Sequence, residues 1–360
     1  MGSKGAQVTD EVVAADWTKE PLTQVDLSQL KGERSEDEIK KLMRVIWEYR
    51  HLLSDGHLDF TKTSAPKHPT VCRIVTSVED PHIQATNRSV SPADLELGRK
   101  LIEERLKEGI IEKSCAPWSS NSLLVKKDGK VRMCIDYRQL NKLTVRDAYP
   151  MPKIQDIMDC LKGSKWFTGI DCVQAFHQIP MADERSKDLT TFKRPTGGFF
   201  RYRYMPMGLL NAMAVWSRFI DTVMEKHQHQ CVLCYADDCL IFTKTESVDD
   251  HIADIRKVFD QLEAYGIKIK ASKIVLGRKS MPFLGIVIAE NGMTPNPEIV
   301  KAVKELKPPK TLKQLRSTLG IFAYYRKFIP NFSKIAAPLY EQTKKYVQNK
   351  RDSLSKHLSN

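Results

Sequence analysis

The chain has 360 residues, of which 41% are hydrophobic and 28% charged, and its net charge is +13. That length exceeds one average domain and permits a sizeable core, while the ordinary hydrophobic content excludes a disordered chain. No apolar run nears the roughly 20 residues needed to cross a bilayer. The N-terminus lacks a charged-then-apolar leader, and Ala6 stands where a myristoylation signal wants Ser or Thr, so an intracellular protein with no membrane partner is expected.

In chain order, residues 1 to about 30 are polar and without period and read as a loose tail. A helix is predicted from about Ser35 to Tyr49, with Ile39, Leu42, Met43, Ile46 and Trp47 on one face. Residues 54–90 read as short strands and loops. The next helix has Ser91 as N-cap, Pro92 in the first turn, Asp94 as capping-box partner, an apolar face of Leu97, Leu101, Ile102 and Leu106, and Gly109 as its stop. Strands Ser122–Val125 and Val131–Ile135 flank Asp128-Gly129, a hairpin signal. A helix near Ile154–Leu161 precedes a strand at Trp166–Ile170, with a further helix expected just after Asp171. Gly197-Gly198 within Thr196–Met205 reads as a second hairpin. A helix over Ala212–Lys226 leads to strands Cys231–Cys234 and Cys239–Thr243 around Tyr235-Ala236-Asp237-Asp238.

A helix then starts at Ser247, boxed by Asp250, and ends at Gly266, burying Ile252, Ile255, Phe259 and Leu262. Strands are expected at Ile267–Ile269, Ile274–Leu276 and Phe283–Ile288, and helices after Pro308-Pro309, including about Leu312–Phe328. Strands and helices mixed with hairpins imply an α+β fold with a mainly antiparallel sheet. Between Lys301 and Lys345 eleven Lys or Arg face two Glu, a local +9 that suits a phosphate backbone, although a solvated helix surface has the same look.

Two candidate constellations carry chemistry. His227, His229, Cys231 and Cys234 offer zinc ligands, but the cysteines sit inside a strand-like run with no second ligand pair, so buried free thiols are the better reading. Asp237 and Asp238 stand at the tip of a buried hairpin. Aspartate is common in turns, yet two adjacent carboxylates beside a core strand repel and lose hydration unless a cation neutralises them. Asp171, ending a strand, can reach the same sheet edge. Three carboxylates there could hold two Mg2+ ions about 3.5–4 Å apart, the arrangement that stabilises both oxygens of a phosphoryl transfer. Neighbours in extended chain face opposite ways, so Asp237 is expected to be the stronger ligand beside Asp171.

Six blocks in order, over about Ser91 to Leu339, are similar to the reverse transcriptase of Gypsy-class long-terminal-repeat retrotransposons, relatives of the retroviral enzymes. They are Arg132-Met133 with Asp136-Tyr137-Arg138-Gln139-Leu140-Asn141; Phe167-Thr168-Gly169-Ile170-Asp171 with Ala175-Phe176-His177-Gln178-Ile179; Met205-Pro206-Met207-Gly208-Leu209 with Asn211-Ala212; the Tyr235–Asp238 box; Phe283-Leu284-Gly285; and Leu315 to Asn331. The resemblance implies a right-hand polymerase: residues 1–90 an N-terminal tail and extension, 91–290 fingers and palm, 291–345 a helical thumb and 346–360 a basic tail. It implies RNA-directed DNA polymerase activity on an RNA or DNA template, with a primer strand, deoxynucleoside triphosphates and two Mg2+ ions for which Mn2+ could substitute.

By the same resemblance Asp171, Asp237 and Asp238 are catalytic metal ligands. Lys126, Lys127 and Arg132 would meet the triphosphate, though they also read as hairpin-surface charge. Phe176, otherwise a core residue, would select against a 2′-hydroxyl. Met207 and Gly208 would line the nucleotide, Gly208 by close backbone approach. Phe283, Leu284 and Gly285 would grip the primer. Met213 replaces a usual Pro, and Cys172, Val173 and Gln174 replace commoner residues without removing a ligand. Similarity fades near Leu339, so this chain is expected to extend a primer without degrading the RNA strand. A nucleic-acid-binding remnant without useful catalysis is the alternative, and a metal nuclease explains the blocks less well.

Overall fold

The computed structural model describes residues 13, 16–58, 60–61, 70–86, 90–127, 129–150, 154–194 and 197–358, without the side chains of 127, 130, 154–156, 158 and 347–358. It divides into Met1–Lys279 and Ser280–Asn360.

At the heart of the first unit lies an antiparallel four-stranded sheet, in the order Val275–Arg278, Trp166–Asp171, Asp238–Thr243, Val232–Tyr235. Its central strands are apolar on both faces: Trp166, Phe167, Ile170, Leu240, Ile241 and Phe242 are all buried. A strand buried on both sides needs cover on both sides. The helices Glu36–Glu48, Ala212–Met224 and Val248–Ala264 give their apolar stripes to the same core as that sheet. The last helix begins at its expected N-cap, with Ser247 Oγ accepting from Asp250 N at 3.2 Å, and Ile252, Ile255, Phe259 and Leu262 turned inward, but Asp250 does not complete the expected capping box, because its carboxylate accepts from the Thr245 hydroxyl at 2.7 Å. The first has a complete capping box between Ser35 and Glu38. It buries Leu42, Val45 and Ile46, with Val45 in place of the expected Met43.

Between helix and sheet runs a closed polar chain. His251 Nδ1 donates to Thr243 Oγ1 (2.9 Å), whose hydroxyl donates to Asp254. Thr168 Oγ1 accepts from Gly277 N and lies 2.8 Å from His251 Nε2. Every partner is satisfied by a neutral ring.

The expectation of a loose tail to residue 30 is corrected. Leu22, Val25 and Leu30 are buried. Their short 3-10 turns lead to Arg34, whose guanidinium lies 3.3 Å over the Trp166 ring and donates to the Gly277 and Lys165 carbonyls. Beside it Arg278 grips Glu33 through two nitrogens. Spacing alone could not show this, because the partners lie more than 130 residues away.

A five-stranded sheet runs Ile111–Lys113, Phe199–Tyr202, Phe192–Lys193, Ser120–Lys127, Lys130–Asp136. Its core includes Met133 and Phe192 together with Ile102 of the helix Pro92–Lys107. Lys127 pairs with Lys130, and Gly129 takes φ 71° in the two-residue turn the sequence marks, although Asp128 lies outside the described residues. Thr196 of the second expected hairpin also lies outside them, but Phe192–Lys193 and Phe199–Tyr202 do pair antiparallel. Asp94 does not complete a capping box: Ser91 accepts from its backbone, while its carboxylate takes Lys126 at 2.9 Å. Nor does a helix start just after Asp171. Gln174 turns left-handed and a 3-10 turn follows at Ala175–Gln178.

In the second unit Ser280–Phe283, Ile286–Ala289 and Gly292–Pro295 form an antiparallel meander. The expected single strand Phe283–Ile288 is therefore broken: Leu284 (φ 48°) and Gly285 (φ 75°) make a hairpin turn. The helices Pro297–Lys304, Leu312–Tyr324 and Phe332–Leu358 follow, with a small core of Leu315, Leu319 and Ala336. Among the described residues no helix is long and apolar enough to cross a membrane.

Candidate active site

Strand register brings the three aspartates to one edge. In the ladder between Trp166–Asp171 and Asp238–Thr243, Asp171 stands opposite Asp238. Tyr235 also pairs with Asp238, so Ala236 and Asp237 form the tight turn between two strands. Ala236 has φ 57°, where a two-residue turn ordinarily wants glycine. Two contacts hold that strain in place: the fully buried Trp216 donates Nε1–H to the Ala236 carbonyl at 2.6 Å, and Cys172 N reaches the Asp237 carbonyl at 3.4 Å.

The carboxylates feel one another. Burial, then Asp237 and then Asp238, push the Asp171 carboxyl above the ordinary carboxylate range, opposed by Lys273 and Lys270. Burial and then Asp237 do the same to Asp238, opposed by Lys273. Ladder register sets Asp238 across from Asp171, yet Asp237 acts on Asp171 more strongly. Asp237 is also the one that joins Asp171 in lining a cavity of about 160 Å³. Backbone pairing does not fix where a turn side chain ends.

Among the described residues no three His, Cys, Asp or Glu side chains stand close enough for a ready-made metal cage. The donor set nonetheless fits hard divalent cations: hard oxygen ligands, with Asp171 and Asp238 disfavoured as carboxylates by burial and neighbouring charge, and two lysines as the opposing charge. The zinc alternative does not assemble. Cys231 and Cys234 are buried, while His229 Nδ1 lies 3.6 Å from Cys160 Sγ.

The same cavity is lined by Phe176 and Met207, and by Gly56, Gln174 and Lys270, which the sequence did not suggest. Met207 is largely exposed. Its block is fixed from below: His177 Nδ1 donates to the Met205 carbonyl (3.1 Å), and Asn141 bonds both the Gly208 carbonyl and Leu210 N at 2.8 Å. Gly208 takes φ 92°, which accounts for glycine there.

The fingers cations are not among the residues lining the cavity. Lys126 is paired with Asp94, the Lys127 side chain lies outside the description, and Arg132 is exposed on the strand opposite Val125. Phe283, Leu284 and Gly285 belong to the second unit, where Tyr324 and Tyr325 donate their hydroxyls to the Leu284 and Gly285 carbonyls. A Cβ on Gly285 would lie 2.8 Å from the Tyr325 hydroxyl.

Comparison with known proteins fits this geometry. Residues 124–288 match the family model described as reverse transcriptase (RNA-dependent DNA polymerase). The chain is 32% identical over 346 residues to the retrovirus-related Pol polyprotein from transposon 297 of Drosophila melanogaster, covering 94% of this chain and 32% of that protein. It is 34% identical over 265 residues to the Pol polyprotein from transposon gypsy of the same organism, covering 72% and 25%. A Schizosaccharomyces pombe relative, the transposon Tf2-3 polyprotein, is 34% identical over 271 residues, covering 75% and 20%.

Among solved structures, foamy viral protease–reverse transcriptase in complex with double-stranded DNA superposes with TM-score 0.76 at 26% identity, over 91% of this chain and 67% of that one. The same kind of protein in complex with an RNA/DNA hybrid gives 0.73 at 25%, over 92% and 43%. Fold and site thus define a right-hand polymerase of the α+β class. More narrowly, residues 124–288 belong to the reverse transcriptase family, in a chain related to retrotransposon Pol polyproteins. The chain spans a third or less of the length of these curated relatives.

Proposed function

We propose that this chain extends a primer on an RNA or DNA template by adding deoxynucleotides, with Asp171, Asp237 and Asp238 holding two Mg2+ ions, replaceable by Mn2+. The carrying observation is a strand-end aspartate and an Asp-Asp turn at one sheet edge, where burial and the neighbouring charges raise the proton affinity of Asp171 and of Asp238, beside a cavity that includes Phe176 and Met207. Bound there, two divalent cations would stabilise the attacking primer oxygen and the departing pyrophosphate.

The chain's own residues do the rest. Asp171 and Asp237 face the cavity as the stronger ligands, and Asp238 closes the edge. Trp216 keeps the turn in its strained form. Phe176 packs against the sugar and excludes a 2′-hydroxyl, and Met207 with Gly208 borders the base. Arg132, with Lys126 and Lys127, receives the triphosphate, Lys126 once released from Asp94. Phe283, Leu284 and Gly285 hold the primer end. Residues 91–290 act as fingers and palm. Residues 291–345 act as a thumb whose basic block grips duplex phosphates with little sequence preference. The viral relatives' complexes with double-stranded DNA and an RNA/DNA hybrid support such partners.

A primer-extension assay tests the reading, with purified chain, a primed RNA template, deoxynucleotides and Mg2+. Extension that Asp237→Asn abolishes supports it. Binding without extension indicates a remnant, and strand cutting without synthesis a nuclease; either result overturns it.

A further inference from the structure

One side chain ties the loop after Asp171 to the N-terminal segment. Gln174 adopts a left-handed backbone (φ 44°, ψ 45°), a conformation that a residue with a Cβ keeps only when its surroundings hold it. Its Nε2 donates to the Gly56 carbonyl at 3.2 Å, and its Oε1 is buried without a partner, so the amide is committed to that one bond.

Gly56 sits in a turn built by Ser54. Ser54 Oγ accepts from Gly56 N (3.1 Å) and donates to the His57 carbonyl (2.6 Å). Just before the turn, Leu53–Ser54 pairs parallel with Ile269–Lys270, and Ile269 bridges Cys172. Lys268 Nζ reaches back to the His51 carbonyl. A segment well outside residues 124–288 thus supplies one wall of the cavity shared by Asp171, Phe176 and Asp237.

We propose that Gln174 is a positioning residue: through the Gly56 carbonyl it fixes the left-handed turn that places Phe176 two residues on, and so sets how closely the cavity fits a sugar ring. This rests on the polymerase reading above. Asp171 is held separately, by its ladder to Asp238. Loss of the tether therefore loosens nucleotide fit and sugar choice more than the chemical step.

The test is steady-state primer extension by the full chain with a deoxynucleotide and the matching ribonucleotide. Gln174→Ala is expected to raise the deoxynucleotide KM about three- to tenfold, the range one hydrogen bond supplies. Its preference for deoxynucleotide should fall by a similar factor, with kcat within about twofold. Gln174→Glu keeps the length but cannot donate to a carbonyl, and is expected to do no better. Ser54→Ala, which removes only the support of the Gly56 turn, is expected to give the same signature, and the double variant to be no worse than Gln174→Ala alone.

Additive effects, or a fall in kcat and thermal midpoint with sugar choice intact, overturn the positioning role while leaving the polymerase standing. A wild-type chain that fails to extend any primer sinks the polymerase reading, and the positioning role falls with it.

Discussion

Acidification should weaken the first unit well before its carboxylates titrate. Burial, then Arg34, lower the His251 pKa from 6.5 to about 3; burial, then Arg105, lower that of His177 to about 4. Both rings are therefore neutral in the fold at pH 5, while the same rings in the unfolded chain are protonated. The stability they contribute is whole above pH 6.5 and is lost as pH falls toward the folded values. Each unit of pH in that window costs about 1.4 kcal/mol per group. From pH 7.5 to 5 each histidine forfeits about 2 kcal/mol, together about 4, a large share of a typical 5–15 kcal/mol.

Asp171 and Asp238 act in the opposite sense: their raised pKa values mean that protonation relieves repulsion, but this occurs in the carboxylate range. Urea unfolding at a series of pH values measures the loss. Tryptophan emission reports the first unit, because Trp17, Trp47, Trp118, Trp166 and Trp216 all lie within it. His251→Asn should halve the fall to about 2 kcal/mol, whatever it does to absolute stability. Flat stability from pH 7.5 to 5, or an unchanged slope in His251→Asn, would refute the neutral buried rings.

Trp216→Phe removes the bond to the Ala236 carbonyl and shrinks a fully buried ring. It should cost about 2–3 kcal/mol in urea unfolding and slow primer extension at least about tenfold. Arg34→Ala should destabilise the first unit by about 3 kcal/mol, and Arg34→Lys should recover less than half, since lysine cannot both stack on Trp166 and fork to two carbonyls; full recovery by lysine would contradict the stacked geometry. Gly285→Ala puts a Cβ against the Tyr325 hydroxyl at φ 75°. It should speed amide exchange across residues 280–328 by the equivalent of about 1–2 kcal/mol, and unchanged exchange would show that the turn is not pinned.

What the sequence revealed follows the range of the physics involved. Local signals were legible: the helix start at Ser35, the N-cap at Ser247, the glycine turn at Gly129, and the buried strands on either side of Ala236. Asp171 at a strand end and Asp237-Asp238 at a hairpin tip were likewise visible as positions, because strand ends follow from where apolar runs stop. Long-range competition was not visible. Asp94 had a local role as a cap partner and took a distant lysine instead. Phe283–Ile288 looked like one apolar strand, but two tyrosines forty residues on fix a turn in it. Leu22, Val25 and Leu30 are too widely spaced to show a period, and Gly56 has no side chain to signal its place beside the cavity. Trp216 could have been flagged: a buried aromatic donor needs a nearby acceptor, and the turn carbonyl is that partner.

The most direct measurement is a crystal structure of the full chain with a primer–template, an incoming deoxynucleotide on a chain-terminated primer, and Mg2+. Two ions bridging the Asp171 and Asp237 carboxylates to the triphosphate, with the sugar against Phe176, are the expected result. A nucleotide bound elsewhere, or ions that leave Asp171 and Asp237 untouched, would contradict the two-metal site.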